Sequence, residues 1–76
     1  MNQTPQFYFW TKAERRYVCL LQQNLFGQWV LTQRWWGIHT GKGGSLAQTF
    51  ESYEAAVVAI AQVEKRRRWR HYHRVE

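Results

Sequence analysis

Trp35 and Trp36 stand side by side with Arg34 before them and a loop of glycines around Lys42 just beyond, within the run NLFGQWVLTQRWWGIHTGKGG of residues 24–44. Cations beside aromatic planes, next to a backbone that permits close approach, are the groups that grip a phosphodiester chain and stack on sugar or base. A second cluster lies near the end, where Lys65, Arg66, Arg67, Arg68 and Arg70 surround Trp69. The chain carries a net charge of +6 with a pI near 10.1. Residues 64–76 hold six Lys or Arg against two acids, whereas residues 1–63 hold five against three, so the positive charge gathers at this end as an electrostatic footprint for a polyanion. These ten residues are the candidate nucleic-acid-binding set.

Each has a plainer alternative. A strand tryptophan is more often core than ligand contact. Arg34 and Lys42 can be ordinary solvated charges, and a basic run can serve solubility alone. Adjacent tryptophans in a strand point to opposite faces, however, so one of Trp35 and Trp36 must turn away from whatever helix covers the sheet.

Other chemistries find no footing. Gly41-Lys42-Gly43 is not a nucleotide-binding loop: its spacing from Gly37 is one residue short, and no Ser or Thr follows the lysine to hold magnesium. His71 and His73 form a pair without an evident third ligand, so no metal is expected. Cys19, the single cysteine, lies between Val18 and Leu20 and reads as a small core hydrophobe. The five acids show no converging pair, so neither an enzyme nor a cofactor or small-molecule substrate is expected. The basic segment lacks an apolar stripe beyond Trp69, the first ten residues lack the features of a signal peptide, and the apolar run Ala55–Ala61 falls far short of the ~20 residues that span a bilayer. The expected location is the cytoplasm, with no membrane partner.

The elements that must position these groups follow from periodicity. With 76 residues the chain makes one domain, expected to have a loose start over residues 1–5 and a basic tail over 70–76. Period-two alternation predicts strands over residues 6–10, 15–23, 28–35 and 46–50, with a short strand over 38–40. The segment 15–23 is apolar on both faces near its middle, which suits a central strand. Asn24 to Gly27 supplies a turn, and residues 41–45 an open glycine loop. Ser52 is placed as a helix N-cap, after which Tyr53, Ala56, Val57, Ile60 and Val63 form an inward stripe at helical spacing. Lys65 to Arg68 suit the negative end of that helix. The expected fold is α+β, a small antiparallel sheet of four to five strands packed against one C-terminal helix.

Leu25-Phe26-Gly27-x-Trp29-x-Leu31, Trp35 through Thr40, the glycine loop, Phe50 ahead of Glu54-Ala55-Ala56, and Lys65-Arg66-Arg67-Arg68 form an ordered set that resembles the WGR domain over about residues 7–72. The resemblance is to short stand-alone bacterial members. It implies an antiparallel sheet with one helix and a module that helps bind DNA at breaks, with the motif tryptophan, here Trp35, stacking on sugar at a duplex end. The motif itself departs from the family. Where the family reads Trp-Gly-Arg-Ile-Gly-Thr, this chain reads Trp35-Trp36-Gly37-Ile38-His39-Thr40, without the motif arginine. Where the family closes on Lys-Arg-Arg-Arg-Gly-Tyr, Trp69 takes the glycine place and Tyr72 comes two residues late. The expected partner is DNA, bound largely without sequence preference. The alternative is a protein-interaction module that uses the aromatic patch or a sheet edge.

Overall fold

The computed structural model describes residues 5–75. Its elements are β1 (Gln6–Lys12), β2 (Arg15–Gln23), β3 (Trp29–Gly37), β4 (Gly43–Phe50), α1 (Tyr53–Trp69) and β5 (His73–Val75). The five strands form one antiparallel sheet in the order β4-β3-β2-β1-β5, with α1 against one face. This is the α+β architecture that the period-two runs and the helical stripe imply, although of the stripe only Ala56, Ile60 and Val63 are buried, while Val57 is 39% and Tyr53 36% exposed. The loose start expected over residues 1–5 falls, apart from Pro5, outside the described residues.

Strand parity decides what meets the helix. Trp10, Tyr17, Cys19, Leu21, Trp29 and Leu31 point to the helix side and close over Ala56, Ile60 and Val63. Leu21 and Leu31, paired across β2 and β3, are fully buried and each contributes about 1.5–3 kcal/mol of burial free energy. Trp10 is 1% exposed and belongs to this core. Gln33 is the polar member of the layer. It accepts a hydrogen bond from the Tyr17 hydroxyl and donates through Nε2 to Gln48 Oε1 at 3.3 Å, so its amide is satisfied where burial would otherwise penalise it.

The turns show how short connections are held. Gly27 has a φ of +80° in the β2–β3 turn, and Asn24 Oδ1 accepts from the amides of Phe26 and Gln28. Helix α1 starts where Ser52 Oγ accepts from the Ala55 amide, the expected cap. At its other end His71 sits at φ +68°, with the His71 amide donating to Arg68 O and the Tyr72 amide to Arg67 O. This left-handed closure turns the chain back towards the sheet. The turn permits β5, which the sequence did not reveal: residues 73–75 pair with the edge of β1 through Thr11, Trp10 and Phe9.

Two expectations are corrected around the aromatic strand. Residues 38–40 form a turn and not a strand, because β3 runs on to Gly37 and leaves five residues for the reversal into β4. That turn is closed by the Gly37 amide donating to Lys42 O and the Gly41 amide donating to Gly37 O, each at 3.0 Å. The glycine loop is correspondingly shorter. Gly43 and Gly44 lie in β4 opposite Trp36 and Trp35, where a Cβ on Gly43 would come within 1.9 Å of the Trp35 carbonyl oxygen. Their role is close approach within a sheet and not freedom in a loop.

Candidate nucleic-acid interface

Three segments distant in sequence converge at one end of the sheet: the two-residue β1–β2 turn, the β3–β4 turn and the last turn of α1. The Ile38 amide donates to Glu14 O at 2.8 Å, and His39 Nε2 lies 3.1 Å from Glu14 Oε1, so the two strand turns are tied together. Between them and the helix end lies an open cleft of about 800 Å³.

Its charge is one-sided. Lys12, Arg15, Arg16, Lys42, Arg67 and Arg70 line it, six of the chain's eleven Lys and Arg, against Glu14 alone among the acids of the described residues. Low-dielectric walls around cations of one sign concentrate the field of such a cleft and draw in polyanions.

Aromatic rings form the floor. Trp35, on the helix side of β3, lies beyond the reach of the helix and is 37% exposed. Its indole runs nearly parallel to the Tyr17 ring, at 15° with centroids 5.8 Å apart. It also lies over Gly44, where a Cβ would stand 2.8 Å from its Cζ2. Tyr72 meets Tyr17 edge-on at 6.3 Å. Arg67 enters above them. Its guanidinium carbon is 4.2 Å from the Tyr17 ring centroid and 5.0 Å from that of Tyr72, both cation–π distances. Its Nε is buried without a hydrogen-bond partner among the described residues. Burial pushes the Tyr17 hydroxyl pKa up, with the Arg67 charge opposing it, so the phenol stays neutral and keeps its bond to Gln33. Lys12 Nζ is 5.8 Å from the centroid of the Tyr72 ring.

The expected site residues divide. Trp35, Trp36, Lys42, Arg67 and Arg70 line this cleft, Trp36 from the sheet's opposite face at its rim. Arg34 is exposed on the face turned from the helix, in register with Val18 and Ser45. Lys65, Arg66 and Trp69 line a separate shallow groove on α1 together with Gln62. Arg68 points outward and lies 3.7 Å from Glu64, which also holds Arg74 at 2.7 Å. The basic run is therefore split by helical geometry: Arg67 continues the inward spacing of Ala56, Ile60 and Val63, while its neighbours do not. Lys12, Arg15, Arg16, Tyr17 and Tyr72 join the cleft without having been singled out. Their signals were strand parity for Lys12 and Tyr17 and the turn position of Arg15 and Arg16. Tyr72 shares a site with Arg67 because the helix stops at Trp69, and not with Lys65 and Arg68 as a continued helix would have it.

Such a surface can neutralise several phosphates and offer a ring for stacking. Among the described residues no Asn or Gln lines it, so the bidentate contact that those amides make to adenine is not available there. Among the described residues no three His, Cys, Asp or Glu side chains are grouped to hold a metal ion, and no helix is long and apolar enough to cross a membrane. No family model matches the sequence, and no match is found among curated proteins or solved structures.

Proposed function

We propose that the protein is a nucleic-acid-binding module of WGR type that holds DNA, at duplex ends or breaks, in the cleft between the strand turns and the end of α1. The observation that carries this reading is Arg67, a guanidinium held over two tyrosine rings in a cleft that, among the described residues, six cations and one acid line. Phosphate oxygens form short, charge-assisted hydrogen bonds with a guanidinium in such a setting. Trp35 supplies a partly open ring beside it for stacking on a terminal sugar or base. The resemblance to WGR domains supports the same assignment, since Trp35 holds the place of the motif tryptophan and the sheet-plus-helix architecture is the one that family implies. The motif arginine's place is taken by Gly37, and in this reading Arg67 and Lys42 supply the cations.

Binding is directed to backbone and stacking and is largely independent of sequence. Titration against blunt duplex, nicked duplex and single strand at low salt tests it. Binding to at least one of them, tightest for ends or nicks, is expected; no binding to any of the three refutes the reading. A protein-interaction role is favoured by a different surface, the sheet face turned away from the helix.

A further inference from the structure

Helix α1 covers one face of the sheet, and among the described residues nothing packs on the other. That second face mixes polar residues with an apolar group of Phe7, Phe9, Val18, Leu20, Val30 and Trp36, large side chains that an uncovered sheet face does not need. One cross-strand row reads Phe7, Leu20, Thr32 and Ala47, and the next reads Phe9, Val18, Arg34 and Ser45. Val30 flanks the first row, and Val75 pairs with Phe9 at the edge. Phe7 is 68% exposed. No acidic residue of the described chain lies on this face.

We infer that this face is the interface of a homodimer, two sheets packed face to face through the Phe7–Leu20–Thr32–Ala47 row. Two arguments select a second copy. The first is size. Five strands at about 4.8 Å spacing and about 24 Å of strand length give roughly 600 Å² of plan area per copy. Two faces therefore bury roughly 1,200 Å² before side-chain relief is counted, the lower bound of stable interfaces. The second is charge placement. Arg16 and Arg34 both lie in the half of the face nearer the cleft, and the half around Gln22, Val30 and Thr49 carries no charge. A two-fold axis through the Leu20 row sets each arginine over the uncharged half of the partner, so like charges do not meet. The same operation places the two clefts at opposite ends of the dimer and leaves both open, so the inference stands whether or not they bind nucleic acid.

Sedimentation equilibrium of the full chain at about 100 μM, well above the micromolar end of the range for such interfaces, tests this. The expected mass is twice the 9.2 kDa of one chain. Leu20→Lys and Phe7→Lys should each weaken the dimer at least tenfold while far-UV circular dichroism stays that of the wild type. If Leu20→Lys fails to fold, Phe7→Lys, at the more exposed position, decides. A monomeric wild type overturns the inference, and so does a folded Phe7→Lys whose dissociation constant changes less than threefold. A monomer whose Phe7 and Leu20 signals move with single-stranded nucleic acid overturns it in favour of a second nucleic-acid face.

Discussion

Trp35 and Arg67 each pack against the Tyr17 ring from different layers, one from the sheet and one from the helix, and the proposed function rests on that shared neighbour. Trp35→Ala removes a stacking surface that such rings supply at about 1–3 kcal/mol per base, so affinity for a duplex end should fall tenfold or more. Because the indole is only partly buried, stability should fall by just about 1–2 kcal/mol, read by thermal melting. Arg67→Ala should cause a similar loss of affinity, whereas Arg34→Ala, on the other face, should leave it within twofold. Arg67 was legible in principle, four residues after Val63 in the stripe, but a run of four cations hides which one turns inward until the helix phase is fixed. Cys19 gives a second test. Burial pushes its thiol up to about 12 from an ordinary value of 9.0. The unfolded chain ionises above pH 9 while the native thiol stays protonated, so stability present below pH 9 is lost as pH rises from there towards 12. The raised Tyr8 and Tyr17 hydroxyls act in the same direction. Urea midpoints should drop between about pH 8 and about pH 10, and drop less in Cys19→Ala.

At the scale of elements, the strands, the Ser52 cap and the buried stripe could be read because each repeats a local period. Gly43 and Gly44 could not, since what they do depends on Trp36 and Trp35 across the ladder and a glycine in isolation reads as a loop. Strand β5 was hidden for a similar reason: three residues acquire their conformation from the β1 edge and from the left-handed His71 turn before them. The pairing of Gly44 with Trp35 makes a prediction. In Gly44→Ala the new Cβ meets Cζ2 at 2.8 Å and Cε2 at 3.1 Å, so the indole must shift while the backbone need not. Nucleic-acid affinity should fall several-fold with stability changed by about 1 kcal/mol or less. Gly43→Ala, which meets backbone, should instead destabilise by about 1–3 kcal/mol in a thermal melt.

For the whole molecule, the proposed function depends on bringing together two turns and a helix end that are separated by up to 58 residues between Lys12 and Arg70, a convergence no local pattern announces. The charge asymmetry of the sequence pointed to the C-terminal run. The folded chain instead draws half of the cleft's cations from the β1–β2 turn region, at Lys12, Arg15 and Arg16. If each of these six cations neutralises one phosphate of a duplex backbone, the log–log slope of affinity against salt should lie near about −5, at ~0.9 per phosphate neutralised. Removing Arg67 or Arg70 should reduce its magnitude by about one. The most direct test is an amide and indole chemical-shift map on adding a short blunt duplex at low salt. Shifts should concentrate at the Trp35 indole, residues 12–17, Lys42, Arg67 and Arg70. Shifts confined to Lys65, Arg66 and Trp69 or to the Phe7–Leu20 face, or no shifts at all, would contradict the cleft as the binding site.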